Sequence, residues 1–161
     1  MTLIRTAFFC AILSVAGPAF SQTNINLGTI NADPTAPLEI TSDSLSIDQD
    51  TGTAVFQGSV LIGQGNLRLN AGRVQVFYSD ASGDISRLSA TGGVTFVTAT
   101  EAAEASSAEY NLDAGTLVLS GDVLLTQGNS AISANTMRVN LSDGSAQMEG
   151  RVRTILNQGG N

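Results

Sequence analysis

Four glycines sit at the centre of one recurring pattern of apolar positions. Around Gly58, Gly92, Gly121 and Gly150, an apolar residue stands four before (Ala54, Leu88, Leu117, Ala146) and another two before (Phe56, Ala90, Leu119, Met148). A valine follows two after each glycine (Val60, Val94, Val123, Val152). A period of two puts these side chains on one face of a strand, whereas a helix would repeat them at 3.6. Between the glycine strands runs a second pattern: apolar, small two on, then apolar three and five further. It reads Ile40-Ser42-Leu45-Ile47, Leu69-Ala71-Val74-Val76, Ala105-Ser107-Tyr110-Leu112 and Ile132-Ala134-Met137-Val139. The step of three breaks the alternation once. It predicts a bulge or corner at which the strand bends while keeping the same face inward.

A larger period encloses the smaller one. Gly52–Asp80 and Gly115–Asp143 align without a gap at a shift of 63 (115 − 52), with 13 of 29 positions identical. Together the two periods predict four two-strand units, each roughly 30 residues long.

Taken in order, residues 22–36 are polar and aperiodic and read as a flexible lead-in. Strands are expected over Leu38–Ile47, Thr53–Ile62, Leu67–Tyr78, Ile85–Thr98, Ala105–Leu112, Thr116–Thr126, Ala131–Leu141 and Ala146–Leu156. The Glu101–Ala105 stretch has helical propensity, but the register of Ser107, Tyr110 and Leu112 starts a strand near Ala105. The turns carry residues that tolerate left-handed backbone, such as Asp50-Thr51-Gly52, Gly63-Gln64-Gly65-Asn66 and Asp143-Gly144. Gly92-Gly93 marks a bulge or a close approach of two backbones. Residues 37–156 thus form a single all-β domain, and 157–161 a tail.

Met1–Ser21 has one early arginine, an apolar run from Ala7 to about Ala16, and a small-residue site at Ala19-Phe20-Ser21. This is the layout of a cleaved secretory signal, too short to span a bilayer, and it predicts a periplasmic or secreted protein. The only cysteine, Cys10, leaves with that segment. The remainder holds six arginines against fourteen carboxylates, a net −8, and no lysine. Such a chain lacks the cationic surface that nucleic acid or an anionic membrane requires.

With no histidine, lysine or mature cysteine, Ser-His-Asp and Cys-His catalysis, Schiff bases, phosphate-cradling lysine loops and imidazole-bound zinc are excluded. Asp48 and Asp50, and Asp80 and Asp84, read as turn residues. The first pair resembles the start of a calcium loop but lacks its later acidic ligand. A carboxylate glycosidase would need aromatic sugar platforms, and the chain has no tryptophan and two tyrosines. No catalytic residue, metal ligand or cofactor is assigned, and the expectation is a protein that is not an enzyme.

What the pattern does supply is an inward apolar row: Leu45, Ile47, Phe56, Val60, Leu69, Val76, Leu88, Phe96, Leu112, Leu119, Val123, Ile132, Met137, Val139 and Met148, with Ile62 and Leu125. One reading is a packed β core; the other is a lumen for apolar guest chains. The aromatic fraction of 5% leaves mainly aliphatic side chains that can part around an acyl chain. About 0.8 kcal/mol per buried methylene could hold such a chain without any charged contact.

The stretches PLEITSDSLSIDQDTGTAVFQGSVLIGQGNLRLNAGRVQV and YNLDAGTLVLSGDVLLTQGNSAISANTMRVNL resemble the LptA/OstA family of periplasmic lipopolysaccharide-transport proteins, over about Pro37–Ile155. The resemblance implies a β-jellyroll-like twisted double sheet, open at both ends, that carries lipid A acyl chains in its lumen. It also implies head-to-tail stacking of copies into a bridge from inner to outer membrane, with inner- and outer-membrane components as further partners. A cleavable signal on a short chain fits the soluble bridge rather than its membrane-embedded partners. The chain is short for the family, which implies a shallower lumen or fewer strands. The first and last strands become the partner edges, with Glu39, Thr41 and Asp43 at one and Arg151 and Arg153 at the other. The alternatives are a structural β-solenoid that binds only protein and a secreted carbohydrate-active domain.

Overall fold

Alternating burial along nearly every segment of the described residues makes strands. The computed structural model describes residues 23–26 and 36–156. Its elements are β1 (Thr23–Asn26), β2 (Glu39–Thr41), β3 (Ser44–Asp48), β4 (Thr53–Gln64), β5 (Leu67–Tyr78), β6 (Ile85–Val97), β7 (Glu101–Asn111), β8 (Thr116–Gln127), β9 (Ser130–Asn140), β10 (Ser145–Glu149) and β11 (Arg153–Leu156). There is no helix among the described residues. The expected signal segment with Cys10, most of the expected lead-in and the 157–161 tail lie outside the described residues.

All strands join one antiparallel sheet in the order β1-β10-β9-β8-β7-β6-β5-β4-β2, with β3 also on β4 and β11 also on β9. The expected first strand is therefore two pieces, β2 and β3, which pair with the two halves of β4. The expected last strand is likewise two pieces, β10 and β11, on the two halves of β9. Part of the expected lead-in is a strand as well. Thr23–Asn26 pairs with β10, which four aperiodic residues did not announce.

A crease runs across the sheet through the four glycines. The register jumps between Gln57 and Val60, between Thr91 and Val94, and between Ser120 and Val123, each time setting two residues against one on the next strand. At these corners Gly58, Gly92, Gly121 and Gly150 have φ between 77 and 84°, and the residue after each also lies in the left-handed region. Each glycine is covered by a corner of its neighbour. A Cβ at Gly121 would lie 2.7 Å from Ser106 Oγ, and one at Gly150 would lie 2.8 Å from Asn135 Cβ. At Gly92 the neighbour is backbone, 3.2 Å away at Gly72 Cα, so the Gly92-Gly93 pair is both a bulge and a close approach.

Bending every long strand at the crease turns one sheet into two facing leaves. Leaf I holds β2, the second halves of β4, β6 and β8, the first halves of β5, β7 and β9, and β11. Leaf II holds the complementary halves with β3, β10 and β1. That the leaves face each other is fixed by Tyr110, whose hydroxyl donates to Gln64 Oε1 at 3.0 Å although β7 and β4 are not neighbours in the sheet.

One strand departs from its expected phase. The step of three in β7 falls between Ala105 and Ala108 and not between Ser107 and Tyr110, and the strand begins at Glu101. Alanines at 103, 105 and 108 carry a faint apolar signal, so the pattern was read two residues late. The start is pinned by Glu101, whose carboxylate accepts hydrogen bonds from Thr98 Oγ1 and, at 3.2 Å, from Gln127 Nε2.

Candidate functional site: an apolar interior open at both rims

The inward row supplies the wall of the space between the leaves. Val60, Leu69, Val76, Leu88, Phe96, Leu119, Val123, Met137, Val139 and Met148 are 0–4% exposed, and Ile132 is buried as well. Phe56 and Leu112 pack half-buried against this cluster, Leu112 lying just past the end of β7. The sequence row missed several small or end-of-strand contributors, among them Ala54, Ala90, Ala108, Leu117 and Leu141. Leu117, Ala54 and Ala90 were visible as glycine-flanking positions, and Leu141, two after Val139, as the end of the expected Ala131–Leu141 strand; Ala108 lay outside the expected phase.

Between the leaves lies a cavity of about 10 Å³, lined by Ile62, Leu67 and Leu69 of leaf I and Leu88, Ala90, Ala108, Tyr110, Leu117 and Leu141 of leaf II or its turns. Such a space is at the threshold for one water molecule. Beside it lies a polar clasp. Gln64, 4% exposed, accepts from Tyr110 and donates through Nε2 to the Ala36 carbonyl at 3.3 Å. Burial pushes the Tyr110 phenol above its ordinary pKa, so it remains a neutral donor.

Two members of the row are not interior at all. Leu45 and Ile47 are 52% and 66% exposed. Their register partners are Phe56 and Ala54, so they stand on the inward face of β3 as expected. They are bare because β3 is the outermost strand of leaf II and no opposite leaf reaches over it. The far end repeats this: Val152, two after Gly150, is 39% exposed where Val60, Val94 and Val123 are buried. The apolar wall therefore runs out into solvent at both ends of the sandwich.

The proposed edge residues fall into two kinds. Glu39 and Thr41 are exposed on β2, and Arg153 is exposed at the start of β11. Asp43 and Arg151 sit in the breaks between paired half-strands. The Asp43 amide donates to the Gly58 carbonyl at 3.0 Å and its side chain covers Gly58, while Arg151 has φ 48°. These two shape corners of the fold, and the remaining three lie on strands that have a free side among the described residues.

The turn aspartates are used locally. Asp48 Oδ1 accepts from the amides of Asp50 (2.9 Å) and Thr51 (3.2 Å). The Thr51 amide, with help from its hydroxyl and from Asp50, holds Asp48 below the usual carboxylate range. Asp143 is lowered mainly by hydrogen bonds from Ser145. No group of three or more His, Cys, Asp or Glu side chains is placed to hold a metal among the described residues.

A creased antiparallel sheet folded into two leaves, apolar within and with bare apolar positions at both rims, defines an all-β sandwich. The chain matches the family described as LptA/(LptD N-terminal domain) LPS transport protein over residues 39–145, and it belongs to that family. It is 30% identical over 154 residues to an uncharacterised protein of Rhizobium meliloti (strain 1021), a match covering 88% of this chain and 83% of that one. Its fold is that of LptH, the LptA homologous periplasmic component of the conserved lipopolysaccharide transport device from Pseudomonas aeruginosa. The TM-score is 0.69 at 15% identity, covering 79% of this chain and 99% of LptH.

Proposed function

We propose that this protein is a non-catalytic periplasmic carrier that takes lipid A acyl chains between its leaves and hands lipopolysaccharide along a head-to-tail stack from the inner to the outer membrane. One observation carries the reading. The inward apolar wall continues past the last covered position at both ends, through Leu45 and Ile47 at one rim and Val152 at the other. A neighbour docked on either rim would prolong the same wall. Strand direction supports the docking: leaf I alternates from β2 to β11, so a second copy's β2 would run antiparallel to β11 and continue the ladder. Glu39 and Thr41 would then approach Arg153 of the next copy, as opposite charges favour.

A cavity of about 10 Å³ is too small for an acyl chain, so the leaves must part to admit a guest. An acyl chain of about twelve methylenes gains on the order of 10 kcal/mol on leaving water, at 0.8 kcal/mol each. The aliphatic lining re-forms around it, so little apolar surface is left wet. The filled interior also favours a second reading, a solid structural module that binds only protein through its edges.

Photo-crosslinking separates the two. Benzoylphenylalanine at the inward, half-buried positions Phe56 and Leu112 is expected to form adducts with lipopolysaccharide. The same probe at the outward positions Val55 and Val118 is expected to form none. Equal labelling of both sets, or no labelling of a folded protein, overturns the carrier and leaves the protein-only module standing.

A further inference from the structure

We propose that β1 is an internal stand-in for a neighbouring copy's β3: it occupies the leaf II edge at the C-terminal rim that an incoming β3 would pair with. End-to-end addition thus starts on β11 and completes only when β1 is displaced. This rests on the stacking part of the proposed function.

The argument is one of register. On β4, Leu45, Ser46, Ile47 and Asp48 of β3 stand opposite Phe56, Val55, Ala54 and Thr53. On β10, Thr23, Asn24, Ile25 and Asn26 of β1 stand opposite Met148, Gln147, Ala146 and Ser145. Phe56 and Met148 are each two before their corner glycine, so β1 lies on β10 in the same register and direction as β3 on β4. At matching positions Ile25 stands for Ile47, Asn24 for Ser46 and Asn26 for Asp48. A strand edge is a template for any strand of compatible pattern, and here the chain fills its own.

The two leaves then differ at this rim. In leaf I, β11 pairs with β9 alone and has no strand on its other side among the described residues. An incoming copy thus finds a free edge for its β2 and an occupied one for its β3. The contest favours the newcomer, because β1 has four register pairs whereas β2 and β3 together bring three and five.

The test uses full-length protein purified after export, in a Cys10→Ala background. Ile25→Pro, which cannot keep its ladder bond, is expected to lower the concentration of half-association by about tenfold in sedimentation velocity. The pair Asn24→Cys with Gln147→Cys, opposite each other on β1 and β10, is expected to form a disulfide and to raise that concentration by about tenfold until it is reduced. Association that ignores both changes, or a cysteine pair that will not close, overturns the cap. Fluorescent lipid A binding measured on the same samples keeps the two ideas apart. Retained binding with unchanged association removes the cap alone. Absent binding with association that still responds to β1 removes the carrier alone.

Discussion

The creased middle of the molecule and its two rims are built from the same repeat, yet they hold their apolar residues differently. Val60, Val94 and Val123 are 0–2% exposed, and Val152, at the equivalent place one unit later, is 39% exposed. Phe56 is half-buried beside Leu45 and Ile47, which are bare. Sequence pattern sets which face a residue takes; the presence of a strand or leaf beyond it sets whether that face is covered. The rims are therefore places where the repeat has run out of itself, and a further copy would complete them.

The sharpest way to separate the two regions is to put the same kind of polar group in each. Val123→Asp places a carboxylate at 0% exposure among apolar side chains, with no partner. The cost is several kcal/mol, against a total stability of about 5–15 kcal/mol, so the protein is expected to unfold or to lose most of its melting transition. Ile47→Ser at 66% exposure is expected to change stability by less than about 0.5 kcal/mol while weakening self-association. Thermal denaturation with sedimentation reads both. If Ile47→Ser destabilises as Val123→Asp does, the rim is core after all. A binding defect in Val123→Asp would report unfolding, so the outward and half-buried probes named above are the sounder test of a lumen.

A smaller effect is expected at the crease. Gly121→Ala meets two obstacles, a φ of 82° and Ser106 Oγ within 2.7 Å of the new Cβ. The left-handed backbone alone costs about 1–2 kcal/mol. The crowding adds to it, for a total of about 2–3 kcal/mol within the range of overpacked sites. Adding Ser106→Gly is expected to recover the crowding part and leave the backbone part. Urea denaturation of the two variants checks this, and an undiminished loss in the double variant would mean that the corner residues do not meet.

Most of the fold was legible because the repeat states it more than once. The glycine strands, the step of three and the inward face of Leu69–Val76 and Ile132–Val139 follow from alternation alone. The phase of β7 was not legible, because Ala103, Ala105 and Ala108 are too small to signal a face against Tyr110 and Leu112. Nor was β1, whose four residues are too few to show a period and whose pairing depends on the edge offered by β10. The bareness of Leu45 and Ile47 could not be read either, since alternation names a side and says nothing about what lies across from it. The interior shares these limits: most of its buried residues could be named, its Tyr110–Gln64 clasp could not.

The faintest difference between middle and rims is in their turns. Asp48, in the β3–β4 turn beside the N-terminal rim, and Asn111, 63 positions later in the β7–β8 turn, do the same work. Asp48 Oδ1 accepts from the Thr51 amide at 3.2 Å, and Asn111 Oδ1 accepts from the Ala114 amide at 2.9 Å. Of these two acceptors only the Asp48 carboxylate can titrate. Hydrogen bonds to the ionised carboxylate lower the pKa of Asp48, so their stabilisation is fully present above the unfolded value of about 3.9 and is lost as pH falls through the folded value. Asp143, lowered by Ser145, puts the same sensitivity into the β9–β10 turn. On acidification below pH 4, the amide resonances of Asp50, Thr51 and Ser145 are expected to move with midpoints below the ordinary aspartate value. The Ala114 amide is expected to keep its hydrogen bond to the uncharged Asn111 side chain, and Asp48→Asn to flatten the Thr51 response without loosening the turn. A Thr51 amide that titrates unchanged in Asp48→Asn would place the acid sensitivity elsewhere, and with it the chemical distinction between the rim turn and its counterpart within the repeat.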